Sequence, residues 1–438
     1  MMTCTETKTE PAMAPTPAEV AQYEAALAAE LLPAMGCTEP IALSYAASIA
    51  ASRLGGFPDE ITAEVSANIV KNVKSVVVPN TGGLTGIEAA VIAGFAANAP
   101  DAKLEVLARI TPEVRDEIGR LVKTKRVNVV PTKEPDVFFI RVTGVKAGKT
   151  VSVTIRASHT KVTRIVEDGV TVFEKNDTPN IEPPAEAAWS LPRLIEAAKT
   201  MPLENVEPLL MRQFDCNRAI AEEGLRGKWG ATIGRILLAR NPEDPETVAR
   251  AMAAAASDAR MNGCELPVVI VSGSGNQGIT ASLPVFVFAE HLKAGREAML
   301  RALLLSDLVT ILLKQGIGKL SAYCGAVSAG AGSGAGIAML SGMTDAQIES
   351  VVSNALAITS GMICDGAKSS CASKIAMSIE GALLAIDMVR NGRRFEAGEG
   401  IVQKSADETV RAVGRIASRG MVDTDRVIID VMLGRKAS

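Results

Sequence analysis

The chain of 438 residues is poor in histidine and in aromatic side chains, and each shortage excludes a class of function. With 2 histidines, a metal site built mainly from imidazole ligands is nearly excluded. Aromatic residues make up 3% of the chain, too few to form stacking platforms for single-stranded nucleic acid. The 46 basic and 49 acidic residues give a net charge of −3 without a long basic run, so we expect no nucleic acid and no membrane as partners.

Long apolar runs are also missing, although the mean hydropathy is +0.21. The most apolar stretch, 266–290, is interrupted by the polar and glycine-rich segment 272–278, so it does not reach transmembrane length. Residues 1–17 lack the apolar core of a signal peptide, and we expect them to form a disordered tail. Seven cysteines without such a signal predict free thiols in a cytoplasmic protein.

Hydrophobic periodicity divides the chain into a mixed part and a helical part, which predicts an α+β fold of two or three domains. Residues 18–55 are predicted to form two N-terminal helices. Residues 56–176 alternate strands with helices and predict an inserted α+β domain. A Pro-rich linker, 177–186, leads into the mostly helical C-terminal domain, 187–438.

Individual elements follow from the same periodicity. The predicted strands are 61–69, 76–78, 104–107, 127–130, 137–142, 151–155 and 162–166. The predicted helices of the C-terminal domain are 191–200, 204–224, 229–240, 244–259, 295–315, 345–360, 370–390 and 405–417.

Four of the seven cysteines lie in glycine-punctuated segments that suggest one metal site: Cys37, Cys324, Cys364 and Cys371. Cys37 precedes a predicted helix, whose dipole and free N–H groups favour a thiolate. Cys364 lies between two predicted helices, where unpaired N–H groups are donors for sulfide or a substrate carboxylate. Cys324 opens a Gly/Ala run that lets the backbone approach a bulky group. Ordinary buried cysteines and close helix packing are the alternatives, and packing is slightly favoured for Cys371. Scattered thiolates favour iron–sulfur over zinc only weakly.

A site shared by Cys37 and Cys324 has a consequence for the architecture, because these residues flank the α+β domain in the sequence. The helices of 18–55 would have to dock on the helical domain, with 56–176 as an insertion between them.

The segment 272–278, Ser-Gly-Ser-Gly-Asn-Gln-Gly, predicts a cradle for a small anion, with the amides of Asn276 and Gln277 fixing its orientation. A solvated turn is the alternative. The pattern Ser-Gly-Asn-x-Gly is also similar to the carboxylate loop of PLP-dependent cysteine synthases and threonine dehydratases. The downstream glycine run follows Cys324 and alternates with Ala and Ser, which weakens the PLP interpretation.

Other polar residues admit two interpretations. His159 ends a predicted strand and is either a general base or a hydrogen-bonded structural residue. Asn72 and Lys74 lie at predicted strand ends, where a solvent-facing loop explains them equally well.

Five motifs together resemble the L-cysteine desulfidase family, which includes the bacterial serine dehydratase-like alpha subunits. The motifs are Gly36–Pro40, Gly227–Gly230, Ser257–Met261, Ser272–Gly278 and Ser360–Ala367. The resemblance runs from about residue 20 to the C-terminus and extends, more distantly, to the iron–sulfur L-serine dehydratases. One departure is Lys161, in Ser158-His159-Thr160-Lys161, where members often have Gly-His-Thr-Asn.

The resemblance implies a 4Fe-4S cluster held by Cys37, Cys324 and Cys364, and breakdown of L-cysteine to pyruvate, ammonia and sulfide without PLP. Three thiolates leave one iron open to bind the β-sulfur or β-hydroxyl of an amino-acid substrate. L-Serine dehydratase activity and a non-catalytic iron–sulfur redox protein are the alternatives. The amides of 272–278 favour an enzyme, and the sequence leaves a homo-oligomer open.

The remaining site residues are predicted by their positions relative to these motifs. Thr38 and Glu39, beside a cluster ligand, are expected to bind the ammonium or move a proton. The candidates for the base are His159, Glu39 and Lys368, in that order. The residues expected to hold the substrate carboxylate are Ser272, Ser274, Asn276 and Gln277.

Overall fold

A computed structural model describes residues 14–175 and 189–434, and it confirms the α+β class. The predicted linker 177–186 and most of the predicted tail 1–17 lie outside the described residues. The elements in chain order are α1 (Pro17–Glu30), β1 (Pro33–Met35), α2 (Thr38–Leu54), β2 (Glu60–Val65), α3 (Ala67–Val73), α4 (Gly86–Ala97), a 3-10 helix (Pro100–Glu105), α5 (Pro112–Thr124), β3 (Val127–Pro131), β4 (Phe139–Lys146), β5 (Lys149–Arg156), β6 (Val162–Glu167), β7 (Val170–Glu174), α6 (Leu191–Thr200), α7 (Glu207–Arg226), α8 (Ile233–Leu238), α9 (Pro245–Met261), β8 (Pro267–Val269), α10 (Gly275–His291), α11 (Arg296–Ile317), α12 (Gly325–Leu340), α13 (Asp345–Thr359), α14 (Cys371–Arg390), α15 (Ala406–Arg415), a π-helical turn (Ile416–Gly420) and α16 (Val422–Met432).

Several helix ends follow directly from local sequence. Thr16 and Glu19 form a reciprocal capping box at the start of α1. The Asp244 side chain accepts a hydrogen bond from the Thr247 N–H at the start of α9. Gly55, with φ of +73°, ends α2 in the left-handed conformation that glycine adopts without strain.

The mixed part is built on a six-stranded sheet with the order β3-β2-β4-β5-β6-β7. The β2–β3 pair is parallel, and the other neighbouring pairs are antiparallel. In β2 buried and less buried residues alternate, because one face of the sheet is covered by helices. At Gly144 in β4 a Cβ would meet Leu54 of α2 and Phe95 of α4, which shows how closely these two helices cover the sheet.

Helix α1 and the body of α2, which cover the segment 18–55 predicted to dock on the helical domain, pack against different parts of the protein. In α1, Glu19 pairs with Arg193 at 2.5 Å, and the Tyr23 ring packs edge-on against Trp189. The body of α2 packs instead against α4 and strands β4 and β5. The Ser44 hydroxyl donates to the Ala90 carbonyl of α4 at 2.6 Å. Most residues of α2 are buried, because the helix is packed on several sides, and the Thr38 hydroxyl in its first turn donates to the Gly273 carbonyl.

The Gly/Ala run after Cys324 forms a central helix of the C-terminal part, α12. Added Cβ atoms at Gly330 and Gly334 would meet α14, and those at Gly332 and Gly336 would meet α11. These glycines therefore permit close helix packing, which was the alternative interpretation of the run. A two-stranded antiparallel pair, β1 with β8, joins the segment before Cys37 to the segment before 272–278.

The structure also corrects several predicted elements. The strand predicted at 61–69 ends at Val65, and α3 follows. The segments 76–78 and 104–107 are not strands; Val77 makes a single bridge, and a 3-10 helix covers 100–105. Their apolar residues are buried by tertiary packing, which imposes no period of 2. Helices α10 and α12 were not predicted, since their glycines and serines are poor helix formers.

Among the helices of the described ranges, none combines the length and the apolar character that a membrane span requires.

Gly94→Ala should destabilise the protein, because the new methyl group would overlap the Ser44 backbone where α4 crosses α2. Overpacking of this kind costs about 1–3 kcal/mol in the free energy of unfolding, which urea denaturation would measure. Gly119→Ala in α5 is the matched control: nothing lies within 4 Å of its Cβ, and it should gain roughly 0.5–1 kcal/mol. Equal effects of the two variants would contradict the packing described for α2 and α4.

Candidate functional site

Four cysteines line one internal cavity of about 100 Å³, where the N-termini of several helices meet. Cys37 immediately precedes α2, Cys324 immediately precedes α12, and Cys371 begins α14. Cys364 lies on the segment between α13 and α14. The fold therefore brings together all four cysteines that the sequence analysis singled out, while Cys216 and Cys264 do not line this cavity.

Main-chain pairing of two segments holds Cys324 beside Cys364. The Cys324 N–H donates to the Met362 carbonyl at 3.1 Å, and the Cys364 N–H donates to the Ala322 carbonyl at 2.6 Å. Between them, Tyr323 and Ile363 form an antiparallel bridge. The two thiols are thus positioned by backbone hydrogen bonds, which the cysteine spacing in the sequence cannot reveal.

Burial determines the protonation of these thiols. It raises the pKa of Cys37 well above its ordinary value, and the neighbouring Glu39 carboxylate adds to the shift. Burial, together with the nearby Cys364, raises the pKa of Cys324 to about 12. It also raises the pKa of Cys371. A metal cation bound among these thiols would instead favour their deprotonated form, since metal coordination stabilises the thiolate.

The four cysteines of the cavity are suitable ligands for an inorganic group that binds thiolates, although their side chains do not converge on one point. Within the described ranges, no three Cys, His, Asp or Glu side chains form a group arranged to hold a metal ion. Two buried atoms of residues that line the cavity lack a hydrogen-bond partner: Gln277 Oε1 and Arg260 Nε. Buried polar atoms are normally paired, so these atoms indicate that the cavity accommodates a polar guest.

Glu39, on the first turn of α2, is a buried anion held by four side chains. Its Oε2 lies 3.1 Å from the Cys37 sulfur and 3.2 Å from the Thr38 hydroxyl. Its Oε1 accepts from the Asn72 amide at 3.1 Å and lies 3.7 Å from His159 Nε2. Burial alone would raise the pKa of Glu39, but the His159 imidazole and the Cys37 thiol outweigh it and lower this pKa to about 2.

The segment 272–278 is a tight turn followed by the first turn of α10, rather than a continuous loop. Ser274, Asn276 and Gln277 line the cavity, whereas the buried Ser272 does not. The Thr38 hydroxyl donates to the Gly273 carbonyl at 2.8 Å and so joins this turn to α2.

Two glycines make room for polar side chains at this point. At Gly273, with φ of +81°, a Cβ would lie 2.9 Å from Cε1 of His159. At Gly325 a Cβ would lie 2.7 Å from the Gln277 amide carbon, so the Gln277 side chain rests directly on the start of α12. Both positions require the absence of a side chain.

His159 and Lys368, two of the predicted bases, do not line the cavity, whereas Glu39 does. His159 is buried behind Glu39 and packs edge-on against Phe138. Lys368 donates to Asp365 Oδ1 at 2.5 Å and to the Gly366 carbonyl at 3.1 Å, so its ammonium is engaged outside the cavity.

Sequence analysis missed four cations that line the cavity: Arg260, Lys314, Lys319 and Lys374. Burial lowers the pKa of Lys314 to about 8. Lys374 donates to the Ile363 carbonyl at 2.8 Å and pairs with Asp365. The available signal was a charged residue inside an apolar or Ala-rich helix, as at Arg260 in α9 and Lys314 in α11.

Helix α3 supports the site on the side away from the cavity. A solvent-facing loop was the equal alternative for Asn72 and Lys74 in the sequence analysis. Lys71, with 1% of its side chain exposed, pairs with Asp425 of α16 at 2.5 Å. Its ammonium also lies 3.4 Å from the Cys364 carbonyl. Lys74 donates to the Met432 carbonyl of the same helix. The last helix is therefore connected to the Cys364 segment through one buried lysine.

A cavity lined by thiols, an ionised carboxylate and amides is typical of a protein that binds or converts a small polar molecule. Comparison of the sequence with known proteins shows the family. Over residues 101–430 the chain matches the family described as serine dehydratase alpha chain, and it belongs to that family. The resemblance to serine dehydratase-like alpha subunits is thereby confirmed.

The relatives are similar over nearly their whole length. The chain is 45% identical over 411 residues to a UPF0597 protein of Desulfitobacterium hafniense, covering 93% of this chain and 96% of the relative. It is 46% identical over 414 residues to a UPF0597 protein of Lachnoclostridium phytofermentans, covering 93% and 98%. Identity to a UPF0597 protein of Fusobacterium nucleatum is 38% over 411 residues, covering 92% and 96%.

Glu39→Gln should reduce the acid sensitivity of the fold. Because the folded-state pKa of Glu39 is about 2, below its ordinary 4.5, ionisation stabilises the fold above about pH 4.5. This contribution is lost as the pH falls from about 4.5 toward 2. Urea unfolding at about pH 7 and about pH 3 should show a smaller difference in Glu39→Gln than in the parent. The exposed Glu60→Gln serves as control, and an unchanged pH dependence in Glu39→Gln would contradict the assignment.

Proposed function

We propose that this protein is an iron–sulfur-dependent lyase that eliminates sulfide from L-cysteine to give pyruvate, ammonia and hydrogen sulfide. The observation that carries the proposal is the single cavity in which four thiols meet an ionised carboxylate, a guanidinium and three amides. Membership of the serine dehydratase alpha chain family supports a lyase. The thiol-rich lining and the family resemblance noted above support a sulfur-containing substrate.

Cys37, Cys324 and Cys364 are the residues that would hold a 4Fe-4S cluster, and Cys371 lines the same cavity as a further thiol. When bound, such a cluster supplies a Lewis-acidic iron that makes the β-substituent of the substrate a better leaving group.

The chain's own residues would bind and orient the substrate. The Glu39 carboxylate is an anion at neutral pH because its pKa is about 2, which suits a contact with the substrate ammonium. Asn276 and Gln277 lie on the first turn of α10, whose free N–H groups favour a carboxylate.

Elimination breaks the Cα–H and Cβ–S bonds and forms a Cα–Cβ double bond. The sulfur leaves with the bonding electrons, and the aminoacrylate product tautomerises to an imine that water hydrolyses to pyruvate and ammonia.

A base must take the α-proton, and a carboxylate with a pKa of about 2 is a weak one. We therefore retain His159, which touches Glu39, as the first candidate and consider that Lys368 is least suited because Asp365 already binds it.

L-Serine dehydration is the second candidate, favoured by the description of the matched family. The same residues would serve, with hydroxide as the leaving group. A non-catalytic redox protein would not need the buried anion and amides that surround the thiols, so the cavity gives it less support.

Anaerobic purification followed by parallel assays of L-cysteine and L-serine tests the proposal. We expect a broad brown absorption that air bleaches, with pyruvate and sulfide formed from cysteine faster than pyruvate is formed from serine. A higher kcat/KM for serine would establish the second candidate. Absence of activity on both amino acids in brown protein would favour the redox alternative, and a colourless active protein that contains zinc would contradict the cluster.

Replacing each of Cys37, Cys324 and Cys364 by Ala should remove most of the bound iron and the activity while the protein stays folded. Iron content per chain, the visible spectrum and circular dichroism would measure this. Cys216→Ala is the matched control, a partly exposed thiol of α7 that does not line the cavity. If Cys371→Ala loses iron and Cys37→Ala keeps it, the third ligand is Cys371.

A further inference from the structure

We infer that Arg260 binds the substrate carboxylate and, with Glu39 in the same cavity, restricts the site to amino acids that carry both a free carboxylate and an ammonium. The inference rests on the proposed function and deepens it. Arg260 lies near the end of α9 and lines the same cavity as the four cysteines.

The guanidinium of Arg260 is buried without a counter-ion. The residue is 2% exposed, and within the described ranges no Asp or Glu forms an ion pair with it. Its Nη1 donates to Asn276 Oδ1 at 3.1 Å, and its Nε has no partner. A buried charge without a partner is costly, so a site that keeps one is arranged for an anionic guest.

The surrounding backbone is shaped around this side chain. At Gly275, the first residue of α10, a Cβ would lie 2.6 Å from the guanidinium carbon. The guanidinium therefore lies against the N-terminus of α10, where free N–H groups also attract anions. Asn276 holds one nitrogen of the guanidinium in place, and the remaining donors are free to contact a carboxylate in a two-pronged manner.

Arg260 and the Glu39 carboxyl group line the same cavity. An α-amino acid carries a carboxylate and an ammonium on adjacent groups, which match a guanidinium and a carboxylate respectively. This combination selects α-amino acids and rejects amines that lack the carboxylate.

One competing role has to be separated by experiment. Arg260 is close enough to Cys37 that its charge opposes the rise in the pKa of that thiol. The guanidinium could therefore neutralise the Cys37 thiolate rather than bind substrate. The two roles differ in what is lost on substitution: the first loses carboxylate affinity, and the second loses bound iron.

The test measures two cysteine analogues on anaerobically prepared Arg260→Gln. The analogue 3-mercaptopropionate has the thiol and carboxylate without the amine, and cysteamine has the thiol and amine without the carboxylate. Calorimetric titration should show affinity for 3-mercaptopropionate falling about 10- to 100-fold, as expected for a lost charge-assisted contact. Affinity for cysteamine should change by less than about twofold, and Arg260→Lys should restore part of the loss.

Arg250→Gln is the matched control, because Arg250 lies on the same helix and pairs with Glu380 outside the cavity. It should bind both analogues as the parent does. Equal weakening of both analogues by Arg260→Gln, or unchanged binding of 3-mercaptopropionate, would overturn the inference. Loss of iron with unchanged relative affinities would assign Arg260 to the Cys37 thiolate. Protein that binds 3-mercaptopropionate through Arg260 but lacks lyase activity would leave this inference standing and refute the proposed function.

Discussion

The buried charge of Glu39 is the constraint on which the arrangement of this protein depends. The polar groups around this interior carboxylate come from three separate parts of the chain. The Cys37 thiol and the Asn72 amide of α3 donate to it, the Thr38 hydroxyl lies 3.2 Å from it, and His159 Nε2, after β5, lies 3.7 Å from it. The mixed part of the fold thus supplies two of the four groups that hold the anion. The site therefore requires the mixed part of the fold to be packed against the helical part.

Small residues allow these separate parts of the chain to meet at one site. Helices α10, α11, α12 and α14 approach one another through glycines, and the same device places Gln277 over Gly325 and the guanidinium of Arg260 against Gly275. Close approach at the start of a helix brings backbone N–H groups to a shared point, which larger residues would prevent.

The sequence allowed the fold class, most helices after residue 190 and the four cavity cysteines to be predicted, because apolar periodicity and glycine-flanked cysteines are local signals. It did not reveal that 272–278 begins a helix or that 76–78 is not a strand, since tertiary burial overrode propensity at both. The roles of Asn72 and Arg260 could not be predicted either. Each acts through a contact with a residue distant in sequence or on another element, and a lone polar residue in an apolar helix carries no information about its partner.

The contact between Lys71 and Asp425 has a consequence for how the protein is made. Lys71 supports the Cys364 segment, but its partner Asp425 belongs to α16, whereas Cys37 lies directly before α2. During translation Cys37 therefore leaves the ribosome long before the residues that complete its surroundings. Closure of the cavity has to wait until residues as far as Asp425 have been synthesised and α16 has folded, so insertion of any inorganic group is a late event in folding.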